Sequence, residues 1–284
     1  MNPKNKLLQK LEHLDALPAI PSIAQKILSL KTYTDEGERA LLELIKNDPL
    51  ILAKIVGLAN SPLFGTGRKI LTLSDAVALL GTNRIKMIAL NFAMQSSMIR
   101  NQTGVLNIQR LWQHSLAVAM AMDAISSFMP NDSRPSDNEI YLVGLLHDIG
   151  YLVLKYIDPK LSDKLHARIA DAPGTSLKEI EMEILGGVDH GELGSVLARH
   201  WNLPESIIIT LKSHNTPEDK LDAGLDQLVT MIIVSEKLLP SFAIAENIRR
   251  EITSEEWQSL GIDPLRENEI KTKVQKLAGE LAKS

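Results

Sequence analysis

A histidine and an aspartate stand side by side, His147 and Asp148, in the middle of the apolar run LVGLLHDIGYLVL at residues 142–154. Neither side chain is accommodated among apolar neighbours unless hydrogen bonds, an opposite charge or a metal ion offset its lost hydration. Six of the seven histidines, His114, His147, His166, His190, His200 and His214, crowd into the same part of the chain, while His13 is alone near the start. Imidazole and carboxylate are the usual ligands of Zn, Fe and Mn, and a buried site gathers them from several helices, because one helix cannot surround an ion. Successive residues on a helix point about 100° apart, so His147 and Asp148 could both reach an ion in the groove at one edge of their helix. Further helices must close the shell.

The elements available to do this are helices almost throughout. Pro21 opens SIAQKILSL, and Thr34 and Asp35 precede ERALLELIK, whose Leu41, Leu42 and Ile45 share a face. Asp48 before Pro49 is a strong helix start, since the carboxylate caps free amides and proline occupies a position that needs no donor. Residues 61–70 (SPLFGTGRKI) and 130–138 (PNDSRPSDN) read as loops. The central helix is expected over residues 139–157, and Ser176 with Glu179 is expected to form a capping box. Helix, glycine, helix in LSDAVALLGTNRIKMIALNF invites comparison with a helix-turn-helix. Its second helix offers chiefly Asn83, Arg84 and Lys86 before turning apolar, so it reads as two packed helices joined at Gly81. No strand alternation of useful length and no repeat period stands out.

Composition narrows the function classes. With 31 Lys+Arg against 35 Asp+Glu the net charge is −4, and no long-range field draws the chain to nucleic acid or to an anionic membrane. The absence of cysteine excludes disulfides, thiolate metal sites and cysteine nucleophiles. The first residues lack the apolar core of a signal peptide, and no apolar run is expected to approach the roughly 20 residues of a membrane span. The expected location is cytoplasmic, with no nucleic-acid or membrane partner.

Several motifs together carry a family resemblance. Trp112-Gln113-His114-Ser115, GLLHDIG around His147 and Asp148, and His190 with Gly194 followed by Trp201-Asn202-Leu203-Pro204 resemble the HD phosphohydrolase superfamily. LPAIPSIAQKIL, NDPLILAKIVGLANSPLFG and ILTLSDAVALLGTNRIKMIAL in the first third resemble its HDOD branch. The likeness runs from about residue 17 to about residue 239 and leaves the last stretch outside. It implies an all-α, multi-helix HDOD fold, with an N-terminal helical subdomain packed on an HD-like helical bundle. The expected parts are a helical extension at residues 1–16, the N-terminal helical part at 17–105, the HD-like core at 106–240 and C-terminal helices at 241–284.

In catalytic HD proteins the resemblance implies one or two divalent metal ions, with Fe, Mn, Zn and Mg as candidates. Carried over by position, His114, His147 and Asp148 match the first three ligands, Glu236 stands where a distal aspartate is expected, and His190 and His214 match the additional ligands of a two-metal site. Such a site polarises a phosphoryl oxygen and activates water. The departures count equally. Tyr151 follows Asp148-Ile149-Gly150 where a lysine is common, His214-Asn215 replaces paired histidines, and there is no Gly-Tyr-Pro signature. Cyclic dinucleotide hydrolysis is therefore unsupported, and catalytic residues are not assigned.

Each residue also has a bland reading. His114 could bond a carbonyl or Asp148, His147 and Asp148 could form a polar pair that fixes helix register, His190 could cap a helix, and His214 could meet the free carbonyls of a helix end. His166 and His200 read as surface residues, Trp112 and Trp201 as core anchors, and Glu12, Asp15, Glu179, Glu181 and Glu183 as solvated helix faces. The functional expectation is a signal-transduction output or scaffold module that binds a signalling protein or small ligand and retains a metal without efficient catalysis. The other class is a metal-dependent phosphohydrolase acting on a nucleotide or other phosphoester. Phe64 and Arg68, in the loop at residues 61–70, are the expected partner contacts.

Overall fold

The computed structural model describes Leu7 and residues 17–61, 64, 69–98, 103–172, 174–215, 223–239 and 251–281, and no strand occurs among them. The first part is built from α1 (Ser22–Ser29), α2 (Asp35–Lys46), α3 (Pro49–Ala59), α4 (Leu73–Leu80) and α5 (Thr82–Met98). The starts follow local chemistry. Thr34 accepts from the Gly37 amide, and Asp48 Oδ1 accepts from Leu50 and Ile51 at 3.1 and 3.0 Å ahead of Pro49. Asn60 then clamps the returning chain, donating to Ile70 O at 2.6 Å and accepting from Ile70 N at 2.8 Å.

Helices α4 and α5 meet at Gly81 (φ 80°), a left-handed position that glycine adopts without steric cost. Residues 85–94 of α5 are buried. Arg84 pairs with Asp123, and Lys86 donates to Leu30 O at 2.6 Å. The basic residues of a recognition helix are thus engaged within the fold, as two packed helices require.

The second part comprises α6 (Ile108–Ser126), α7 (Asp137–Leu146), α8 (Ile149–Ile157), α9 (Pro159–Ala170), α10 (Leu177–Leu185), α11 (His190–His200), α12 (Glu205–Ser213) and α13 (Ala223–Leu238). Behind them come α14 (Ser254–Ser259), a 3-10 turn at Pro264–Arg266 and α15 (Glu267–Leu281), which packs on α6. The expectation that no apolar run reaches the length of a membrane span is corrected here: Asp137–Ile157 is long and apolar enough to cross one, and 83% of its apolar window is buried within the protein's own core.

Two local expectations need correction. The expected central helix is broken: α7 stops at Leu146 and α8 starts at Ile149, so His147 and Asp148 occupy the turn between them. Ser176 makes no side-chain cap to α10, whose start is fixed instead by burial of Leu177, Ile180 and Glu181. A reciprocal capping box does form at Thr253 and Glu256.

The core is one continuous apolar cluster. It runs from Leu7 and Leu17 through both parts to Val274 and includes Met120, Met122 and Met129. Trp201, 3% exposed, donates its indole N–H to Pro18 O at 3.0 Å and ties the start of the fold to the end of α11. Trp257 is also buried and donates to Glu267 Oε2.

Candidate metal centre

Two glycines bring the helices of this centre together. A Cβ at Gly144 would lie 2.5 Å from Ala119 Cα, and one at Gly150 would lie 1.8 Å from His190 O. Only hydrogen fits at either point. The first lets α6, with His114, press against α7, and the second lets α11, with His190, press against α8. Both glycines sit three residues from His147, so both close approaches converge on the turn that carries it.

Around Asp148 the side chains form two groups. On one side His114 Nε2 and His147 Nε2 are each 3.4 Å from Asp148 Oδ2 and 3.2 Å from each other. Glu236 Oε1, from α13, is 3.7 Å from His147 Nε2. On the other side His190 Nε2 is 3.2 Å from Asp148 Oδ1 and 3.0 Å from His214 Nε2. Asp148 thus presents one oxygen to each group. All are buried except Glu236, whose side chain is 15% exposed.

Hydrogen-bond accounting fixes the ring orientations. His147 Nδ1 donates to Gly144 O at 2.9 Å, His214 Nδ1 to Leu211 O at 2.7 Å, and His190 Nδ1 to Glu181 Oε1 at 2.7 Å. In each neutral imidazole the Nε2 is then a bare lone pair. Lone pairs 3.0 Å apart beside a carboxylate repel unless a proton or a cation lies between them. Bonds of about 2.1 Å to one ion would place neighbouring ligand atoms about 3.0–3.4 Å apart for six- to four-coordinate geometry. The observed separations match that spacing, and the nitrogen and oxygen donors suit a divalent metal.

The charges agree with this layout. Burial and then the attraction of neighbours set each group. Burial opposes a charged Asp148, yet His147 and His190 hold it well below the usual carboxylate range. Burial likewise opposes a charged His190, but Glu181 and Asp148 outweigh it and hold the imidazole well above its usual value. His147 is raised too, by Asp148 and Glu236 against burial. Burial depresses His114 to about 4, and burial with the repulsion of His190 and His147 depresses His214 to about 3. Burial pushes Glu236 up to about 7.

All six sequence-derived candidates, His114, His147, Asp148, His190, His214 and Glu236, therefore lie in one cluster. Glu181 is a residue that sequence reasoning misplaced. It is fully buried, whereas Glu179 and Glu183 are exposed. The signal was available: Leu177, Glu181 and Leu185 recur every four residues on the buried stripe of α10. His166 is also not a surface residue. It is half-buried, bonds Ser162 O through Nδ1 at 2.7 Å, and meets the Tyr151 ring edge-on at 5.2 Å. Tyr151 in turn stacks on His190 with centroids 4.3 Å apart. Asn215 lies with its amide nitrogen 3.0 and 2.9 Å from the two ring nitrogens of His190. Trp112 packs against Phe92, and His200 is half-buried at the end of α11. Phe64 packs partly on the core, whereas Arg68 lies outside the described residues.

Comparison with known proteins agrees with the architecture. An HDOD domain protein of unknown function from Geobacter sulfurreducens superposes with a TM-score of 0.70 at 24% identity, covering 97% of each chain. A candidate metal-dependent phosphohydrolase from Shewanella amazonensis superposes with a TM-score of 0.63 at 19% identity, covering 98% of this chain and 97% of the other. An uncharacterised protein from Treponema pallidum is 24% identical over 204 residues, which is 72% of this chain and 38% of that protein's length. The model of the HDOD domain family matches residues 17–217, and the chain belongs to that family.

Proposed function

We propose that this protein is a signal-transduction output or scaffold module of the HDOD type that retains a divalent metal at the His-Asp cluster as part of its architecture. His114, His147, Asp148 and Glu236 would hold one ion, and Asp148, His190 and His214 a second. When bound, such an ion supplies positive charge that neutralises Asp148 and fixes four helices around one point. Fe, Mn, Zn and Mg all remain chemically compatible with the mixed nitrogen and oxygen donors.

The observation that carries the non-catalytic reading is the seat of Tyr151. In the position where related catalytic motifs place a lysine, its ring stacks on His190, and burial holds the phenol well above its usual value, so it stays neutral. A neutral phenol can donate a single hydrogen bond but, unlike lysine, brings no positive charge to a phosphate. Of the four basic candidates that the sequence motifs offer, Arg68, Lys69, Arg84 and Lys86, Arg84 pairs with Asp123, Lys86 donates to Leu30 O, Lys69 is exposed and Arg68 lies outside the described residues. A signalling protein is the expected partner, with Phe64 and Arg68 in the loop as its contacts; unaltered partner affinity in Phe64→Ala and Arg68→Ala would count against that surface.

The test is phosphoester turnover by metal-reconstituted protein, using p-nitrophenyl phosphate and its bis ester as probes. No release of nitrophenol above the metal-only control is expected. Turnover that disappears with His147→Ala would replace this reading with the other one, a metal-dependent phosphohydrolase, which the bridged arrangement of the donors also favours.

A further inference from the structure

A cleft of about 710 Å³ opens between α3, α5 and the segment leading into α6, and it shares no residue with the six candidate ligands. Sites for small molecules typically span roughly 300–1,000 Å³ and favour boundaries between packed subdomains. Phe92 and Trp112 form one wall, with ring centroids 4.4 Å apart and planes tilted by 42°. The Lys54 amine stands 4.7 Å from the centre of the Phe92 ring. Partial burial lowers its pKa, while Asp48 pulls the other way; the Asp48 carboxylate is occupied in capping α3. Among the described residues Lys54 forms no ion pair.

The polar lining is equally specific. Ser61 Oγ is buried with no hydrogen-bond partner among the described residues. Gln95 gives its amide N–H to Asn91 Oδ1 at 3.1 Å, which leaves its carbonyl oxygen to accept, and Gln113 joins it in the lining. The opposite wall is held in place. Lys155 donates to Thr103 O at 2.7 Å, the Val105 amide donates to Asp163 Oδ1 at 2.8 Å, and Leu106 is anchored in the core.

We propose that this cleft binds a small planar anion: a flat ring against Trp112, an anionic group on Lys54, and a polar edge read by Ser61 and the glutamine amides. Aromatic side chains select flat partners through offset or tilted stacking. A partly desolvated lysine adds a charge-assisted bond to an anion. Nucleoside monophosphates and aromatic carboxylates share this chemistry. The proposal stands apart from the metal centre, although Trp112 and Gln113 precede His114 on α6, so an occupant would press on the helix that carries a candidate ligand.

The test titrates the full chain with AMP, GMP and 4-hydroxybenzoate, followed by calorimetry and tryptophan fluorescence, with metal content measured alongside. Trp201 and Trp257 are 3% and 1% exposed, so a quench reports chiefly on Trp112. Saturable binding of one class is expected, and the class that binds identifies the source. Lys54→Gln should weaken it about tenfold or more, with Lys54→Arg restoring most of the loss, and Trp112→Leu should remove the fluorescence response. Metal content and helical circular dichroism should be unchanged in all three variants. Failure of both classes to bind at millimolar concentration overturns the proposal, as does binding that survives Lys54→Gln and Trp112→Leu intact.

Discussion

At the scale of single residues, Glu181 decides how well the cluster can hold a cation. Its carboxylate receives the His190 Nδ1 proton at 2.7 Å and so turns the Nε2 lone pair toward Asp148 and His214. Outer partners of this kind typically contribute 10–100-fold to metal affinity. Glu181→Gln keeps an acceptor but loses the charge, so zinc affinity measured by chelator competition should fall about tenfold or more while helix content stays constant. Unchanged affinity would reduce Glu181 to a space-filling role. Protonation supplies a second expectation. His147 and His190 are raised and Glu236 sits at about 7, so in the metal-free protein these groups carry protons near neutrality that must leave before a cation enters. Metal uptake should therefore release protons, and affinity should climb as pH rises through neutrality and fall away in acid. Calorimetric titration in buffers of different ionisation enthalpy checks this; uptake without proton release would contradict it. The candidate ligands His147 and Asp148 were legible because paired polar groups inside an apolar run demand partners. Glu181 was not, because its acidic neighbours disguised a position that its four-residue spacing from Leu177 and Leu185 places on the buried side.

At the scale of elements, glycine sets the distances. Gly150 is the point at which α8 touches α11, and any Cβ there meets the His190 carbonyl, which belongs to backbone and cannot swing aside. Gly150→Ala should push the two helices apart and cost about 3 kcal/mol in urea unfolding, with metal affinity lost in the same variant. A variant as stable as the parent would mean that the helices tolerate separation and that the close approach is not required. The break between α7 and α8 belongs to this scale as well. The apolar run reads as one helix because periodicity does not register a turn whose residues remain buried on both sides, and His147 and Asp148 are both buried there. The interruption lets both groups face inward at once.

For the whole molecule, the all-helical class and the order of elements were legible because caps such as Thr34 and Asp48, and the breaks at Gly81 and residues 130–138, are local signals that tertiary packing did not override. The convergence of His114, Asp148, His190, His214 and Glu236 from separate helices is a long-range property, which the sequence alone carried through family likeness rather than through spacing. The cleft at Trp112 was not legible at all, since it depends on how α3, α5 and α6 lie against one another. What unites the molecule is a single apolar core wrapped around one polar centre, whose buried imidazole and carboxylate donors could hold a metal ion. The most direct test is the metal content of untagged protein prepared without chelators and then reconstituted, measured by mass spectrometry beside His147→Ala and Asp148→Ala. About one or two transition-metal ions per chain in the parent, lost in both variants, is the expected result. A parent that stays metal-free after reconstitution, with variants merely less stable, would make the cluster a proton-filled structural network and contradict the account.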